Sequence, residues 1–357
     1  MKLFMPTKVY SEEGCVRKHA KEIAAYGKKA MIITGKHSAK VTGAYDDVVS
    51  ALQQEAVSYI VFDEVEENPS VETVMKARKI GLDNNVDFVI GIGGGSPLDA
   101  SKAIALMMTN PDKTEDVLYK NEVLPCMPIV CVPTTCGTGS EATQYSILTL
   151  HDQRTKRSIS HTLFPELSLL DSRYLRTMSR ECLVNTCVDA LAHLVESYFN
   201  TNASELSRIY SREGLRIWSK FKDSLKNGNV SAEDYEDMIH ASMIAGIAIA
   251  HTGTSVPHGM SYSITYERKI PHGKAVGMFL GGYVDFYKEK KDVKVVLDIL
   301  GFDTASDLRQ YIRGLLGVVE IEDELLVADA KGLLENPAKL KNYPYEISEQ
   351  DLIEMAN

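Results

Sequence analysis

From residue 30 onward the chain alternates short β-branched or apolar runs with stretches of helical period. Strands alternating with helices of this length form βαβ units around a parallel sheet, which narrows the fold more than any other feature does. Residues 30–35 and 58–62 read as strands, with a helix at 44–55 between them. Asn68-Pro69-Ser70 then punctuates, residues 71–84 are helical, and residues 86–91 form the third strand. After Pro125 come a strand at 128–132, a hairpin of residues 143–150 and 156–162, and a last strand at 167–171. Sheets of this kind bind ligands beyond the carboxyl ends of their strands.

At one such end stands Gly91-Ile92-Gly93-Gly94-Gly95-Ser96-Pro97-Leu98-Asp99. Glycines let a phosphate approach the backbone. Ser96 reads as an N-cap, Pro97 as the first helical residue, and Asp99 as the partner in a capping box for a helix at 100–109. A helix amino end behind a glycine turn is an anion site, here suited to a diphosphate. The loop lacks the Gly-Lys-Ser/Thr of a P-loop and the full G-x-G-x-x-G spacing. A second small-residue loop, Pro133 to Glu141, follows the next strand, and its hydroxyls suit phosphate, ribose or an amide. Two such loops at successive strand ends favour a dinucleotide over a pair of tight turns. Lys156, on the hairpin, either reaches a phosphate or is simply solvated.

From Ser179 on, the helical period dominates, with helices expected at 180–199, 203–222, 232–251, 257–265 and 274–288. The pattern changes near Leu175-Arg176-Thr177, so the expected division is an α/β domain, 1–176, followed by an all-helical domain, 177–357. In the first long helix Asp189 and His193 are four apart and share a face, about one 5.4 Å turn from each other. Such a pair is either half of a metal site or a buried hydrogen-bonded pair. His258-Gly259 and His272-Gly273 add two imidazoles, out of nine histidines in the chain. Three imidazoles and a carboxylate suit Fe²⁺ or Zn²⁺ better than Mg²⁺ or Ca²⁺. The competing reading has these histidines capping helices or packing against their glycines.

The formal charge of −10 excludes a generally basic nucleic-acid surface. No apolar run reaches a membrane span, and the start lacks a signal-peptide pattern. Six irregularly spaced cysteines read as reduced thiols, which implies a cytoplasmic setting. Residues 336–357 carry little information.

Glu67-Asn68-Pro69-Ser70, GGGSPLD, PTTCGTGSE, VDALAHLVE and the His258-Gly to His272-Gly pair together resemble the iron-containing alcohol dehydrogenases, from Pro6 to about Gly282. Within them the chain is most similar to small bacterial 1,3-propanediol or lactaldehyde dehydrogenase-like members. The resemblance implies a Rossmann-like amino-terminal domain, a helical carboxy-terminal domain, and cofactor and metal in the cleft between them. It assigns Asp189, His193, His258 and His272 as metal ligands. Gly94, Gly95, Ser96 and Asp99 become the diphosphate loop, with Asn68 near the adenosine. Thr134, Thr135, Thr138 and Thr143 belong to the second cofactor loop, and Lys156 is a basic cofactor contact. It also implies a homodimer.

Three departures from the family pattern matter. Gly35, followed by Lys36, replaces the carboxylate that NAD users often carry after the first strand, which favours NADP over NAD. Tyr262 replaces a proton-relaying histidine; a phenol, with an ordinary pKa of about 10, is a weaker neutral-pH base than imidazole. Cys136 replaces a small alanine near the expected nicotinamide, and is either an exposed oxidation liability or a buried small hydrophobe. The expected activity is reversible hydride transfer between NADP(H) and a small primary or secondary alcohol, giving an aldehyde or ketone. The alternatives are a lyase like dehydroquinate synthase, which needs more basic residues than surround His258 to His272, and a non-catalytic nucleotide-binding protein.

Overall fold

The computed structural model describes residues 3–319, 321–335 and 340–356. Its Cα atoms divide into two compact units. One comprises Met5–Thr135 and Gly139–Met178. The other comprises the first residues, Cys136–Thr138, and the chain from Ser179 on.

The first unit is built on a six-stranded parallel sheet. Its strands are β1 (Lys8–Ser11), β2 (Lys29–Thr34), β3 (Ser58–Phe62), β4 (Phe88–Gly93), β5 (Ile129–Pro133) and, after a separate hairpin, β8 (Leu167–Leu170). In space they run β1-β8-β5-β4-β2-β3. The period of two splits each strand between opposite faces. Met31, Ile33 and Val89 enter one apolar cluster, whereas Ala30, Ile32, Phe88, Ile90 and Ile92 enter another. Both clusters are buried, which explains why the strands read as continuous apolar runs rather than as alternating ones. From β2 the chain steps outward to β3, then returns to lay β4 on the other side of β2. That reversal is the point where such sheets gather ligands.

Several sequence expectations differ from the structure. The third strand extends through Gly93 rather than ending at Gly91, and the following helix is Gly95–Thr109, with Gly94 as its N-cap. Ser96 and Pro97 therefore lie inside the first turn, and no side chain caps this helix. Asp99 is no capping-box partner either: it accepts from Ser140 Oγ at 2.5 Å and from the Ile147 amide at 2.8 Å. Glycine at the cap let the helix begin early. The expected hairpin is present but shorter, as β6 (Ile147–Leu150) against β7 (Thr155–Ser158). β1 was not anticipated and pairs with β8 at the sheet edge.

In the second unit all the described regular secondary structure is helical. Its centre is the Arg180–Phe199 helix, started by Ser179, whose side chain accepts from the Cys182 amide. Every residue from Val188 to Phe199 is buried, so this part of the helix has no solvent stripe and its few polar side chains face the interior. Around it stand Glu205–Asn227, Ala232–Thr252, Val256–Arg268 and His272–Phe286. No described helix is long and apolar enough to cross a membrane.

Candidate metal centre and cofactor loops

The spacing of Asp189, His193 and Glu196 places all three on one face of the buried Arg180–Phe199 helix. Two further helices bring histidines to that face, and close packing explains the glycine after each. A Cβ on Gly273 would lie 1.9 Å from Asn185 O, and one on Gly259 would lie 2.9 Å from Leu333 Cδ1. Gly273 thus lets the His272–Phe286 helix settle against the Arg180–Phe199 helix, whereas Gly259 makes room for Leu333. The His-Gly pairs serve packing and ligand placement at once.

One donor atom from each of Asp189, His258 and His272 falls within 4.8 Å of the others. Asp189 Oδ1 is 3.3 Å from His258 Nε2 and 3.7 Å from His272 Nε2. Asp189 Oδ1 and His258 Nε2 are buried, and neither has a hydrogen-bond partner. When His258 is protonated the two form an ion pair; with a neutral imidazole they meet lone pair to lone pair, buried, which is costly unless a cation joins them. A borderline divalent cation fits that role and this donor set. The fourth expected ligand, His193, stacks on His258 with ring centroids 4.3 Å apart. Its Nδ1 meets Gly137 O at 3.3 Å, and its ring nitrogens are not among the three clustered donors, which come from Asp189, His258 and His272. Gly137 comes this close because its Cα has no substituent: a Cβ there would stand 2.9 Å from Thr186.

The electrostatics follow from burial. Burial alone would raise the Asp189 carboxyl, but the imidazoles of His193, His258 and His272 hold it well below the usual carboxylate range. Burial lowers His193. For His258 burial also acts downward, yet the carboxylates of Glu196 and Asp189 lift it to about 9.

Glu196 was missed at the sequence level. Its Oε1 lies 2.5 Å from His258 Nδ1, while Oε2 accepts from the Ser255 amide. The signal was the seven-residue spacing from Asp189, visible only once His258 was known to lie opposite. Tyr262 is on the same helix as His258, and its ring centroid is 6.0 Å from that of His272. Cys136 is buried, not exposed, with its Sγ 3.8 Å from Cys187 Sγ and 3.5 Å from Thr186 Oγ1. All six cysteines are free thiols.

In the sheet unit, Gly94, Gly95 and Ser96 stand at the carboxyl end of β4, and Gly35 and Lys36 follow the end of the neighbouring β2. A Cβ on Gly94 would press on the Thr135 side chain, 3.0 Å from its Oγ1. The Asn68 amide donates to Ser96 Oγ at 3.0 Å, and Lys156 Nζ donates to Asn68 Oδ1 at 3.1 Å. Three expected cofactor residues are thereby brought together. Thr134 lies beside β4, its amide donating to Gly93 O at 2.9 Å. Thr138 belongs to the helical unit. Thr143 is buried and turned toward Lys102, whose Nζ is 3.5 Å from its Oγ1. Lys102 also escaped the sequence reading. Fully buried, it donates to Ser140 O, Ser140 Oγ and Tyr145 O at 2.7–2.8 Å, so it braces the second loop from below. Asp99 works with it through Ser140.

Comparisons with known proteins agree with this geometry. Residues 6–172 match the profile of the iron-containing alcohol dehydrogenases, and residues 183–338 match the profile of that family's carboxy-terminal domain. The solved iron-containing alcohol dehydrogenase of Thermotoga maritima is 36% identical, with a TM-score of 0.92 over 99% of this chain and 98% of that one. The long-chain primary alcohol dehydrogenase of Thermoanaerobacter ethanolicus is 30% identical over 71% of this chain, and the match spans 65% of that enzyme's length. The NADPH-dependent butanol dehydrogenase of Clostridium saccharobutylicum is 28% identical, over 80% of this chain and 74% of that one. The chain belongs to the iron-containing alcohol dehydrogenases, a family of NAD(P)-dependent oxidoreductases.

Proposed function

We propose that the chain interconverts a small primary or secondary alcohol and its aldehyde or ketone, with NADP(H) as hydride carrier and Fe²⁺ or Zn²⁺ held by Asp189, His193, His258 and His272. The observation that carries the reading is the pair of orphaned, buried atoms Asp189 Oδ1 and His258 Nε2 facing each other at 3.3 Å. A divalent cation held there supplies Lewis acidity toward an alcohol or carbonyl oxygen. The protein's own work is positional. Glu196 keeps the His258 ring turned so that Nε2 faces Asp189, and Gly137 O holds His193 by its Nδ1. The amide groups at the amino end of the Gly95–Thr109 helix offer donors to a diphosphate. Tyr262 is the hydroxyl proposed to exchange the reaction's proton with solvent.

The preference for NADP rests on Gly35 and Lys36. Lys36 is exposed, and no side chain at position 35 opposes a 2′-phosphate. Asp63, just past β3, supports the same preference, because Lys40 Nζ already pairs with it at 2.8 Å. We further propose a homodimer.

The test is an anaerobic screen of short aldehydes and diols with NADPH and NADH, after loading with Fe²⁺ or Zn²⁺. Net oxidation of NADPH in proportion to aldehyde consumed supports the dehydrogenase. Turnover of a polyhydroxy acid with no net change in nicotinamide absorbance would replace it with the lyase.

A further inference from the structure

The Val256–Arg268 helix can present His258 only if the Thr252–Ser255 connection before it holds its shape. That connection leaves the Ala232–Thr252 helix through Gly253, at φ 78, and four successive groups on it are fastened individually. Asn202 Nδ2 donates to Thr252 O at 3.1 Å, Asn200 Nδ2 to Gly253 O at 3.1 Å, and Asn342 Nδ2 to Thr254 O at 2.7 Å. The Ser255 amide then donates to Glu196, the carboxylate that also meets His258 Nδ1.

Asn342 is the keystone of this arrangement. Besides holding Thr254, it accepts from Asn202 Nδ2 on Oδ1 at 3.0 Å, and its backbone carbonyl accepts from the Thr201 amide at 3.1 Å. A Cβ on Gly253 would lie 2.8 Å from Asn342 Nδ2, so the turn and the amide are fitted to each other. Asn342 lies beyond the residues matched by the family's carboxy-terminal profile, which end at 338. The segment around it is anchored to the same unit: Tyr343 packs against Tyr283 with ring centroids 5.6 Å apart, and Tyr345 against Tyr287 at 5.2 Å.

We propose that Asn342 is a positioning residue for metal binding: it fixes the Thr252–Ser255 connection, and so the Glu196 to His258 contact, from the carboxy-terminal segment. This rests on the metal reading above. A rigid connection holds His258 Nε2 over Asp189 before a cation arrives. A loosened one lets the Val256–Arg268 helix shift, which weakens binding without removing any ligand.

The test uses the full chain stripped of metal, with Zn²⁺ affinity read by competition against a chromophoric chelator. Asn342→Ala is expected to weaken Zn²⁺ about tenfold, and Glu196→Gln about 10- to 100-fold, the range for partners of ligating histidines. Because both act through the same contact, the double variant should lose less than the product of the single losses. Asn342→Asp, which keeps the side chain's size but loses the donor to Thr254 O, should behave as the alanine variant does and serves if that one fails to fold. Tyr345→Phe removes a hydroxyl from the same segment, 3.3 Å from the Glu289 amide, and should leave Zn²⁺ affinity unchanged. Unaltered affinity in both Asn342 variants, or losses that multiply in the double variant, would overturn the proposal while leaving the metal site standing. Failure of the unsubstituted chain to bind Zn²⁺ would overturn both.

Discussion

Glu196 and His258 meet at 2.5 Å, Oε1 to Nδ1, with both side chains fully buried in the helical unit. This contact fixes which imidazole nitrogen is left to face Asp189. Replacing Glu196 with Gln keeps the size but removes the charge. Zn²⁺ affinity should fall about 10- to 100-fold by competition titration. An unchanged affinity would mean that the carboxylate serves packing alone.

Gly273 tests why the second histidine is followed by glycine. In Gly273→Ala the new Cβ would stand 1.9 Å from Asn185 O, which is backbone and cannot swing aside. The His272–Phe286 helix must move outward. We expect thermal unfolding to report a loss of about 1–3 kcal/mol, together with weaker metal binding as His272 withdraws. A variant as stable and as tight as its parent would contradict the packing described.

Tyr262 stands where the family often has histidine. Tyr262→Phe should lower kcat by about 100-fold, the low end for loss of a positioned proton carrier, and leave Zn²⁺ affinity intact. A kcat within twofold of the parent's would remove Tyr262 from the proton path.

Gly35 governs the cofactor. Gly35→Asp places a carboxylate beside Lys36, and kcat/KM for NADPH should fall by about tenfold, on the order of 1.4 kcal/mol, while that for NADH holds or rises. Equal losses with both cofactors would show that the end of β2 does not read the 2′-phosphate.

Glu141 predicts a pH dependence of stability. Burial raises its carboxyl from the ordinary 4.5 to about 7, so between those values the folded chain holds a proton that the unfolded chain has released. Its stabilising contribution is therefore complete below about pH 4.5 and is lost as pH rises through 7. At about 1.4 kcal/mol per unit the full effect is about 3 kcal/mol. Glu141→Gln should flatten that slope, and urea unfolding at pH 4 and pH 8 measures it. Identical slopes in parent and variant would contradict the buried, protonated carboxyl.

The sequence carried the parallel sheet because β2 and β4 are buried on both faces and so are apolar without interruption. It did not reveal β1, whose Lys8-Val9-Tyr10-Ser11 is a half-exposed edge with no pattern of its own. Ser96 read as a cap because its residue type is right, but the helix could begin earlier on glycine, and Ser96 was claimed instead by the Asn68 amide. Such contacts, 28 residues apart in the chain, leave no local trace. Asp189, His258 and His272 were legible as a set that could hold a cation, because ligand chemistry restricts residue types. Glu196, Lys102 and Asn342 were not, because a carboxylate, a lysine and an amide have many common uses. Only the fold shows which use each one has.

The central claim is that Asp189, His193, His258 and His272 hold a cation that the reaction requires. The most direct measurement is aldehyde reduction by NADPH in protein stripped by chelator, verified free of metal by elemental analysis, and then reloaded with Fe²⁺ or Zn²⁺, beside Asp189→Ala treated identically. The account predicts that activity disappears on stripping, returns on reloading, and never returns in the variant. Full activity in the verified metal-free chain would contradict it.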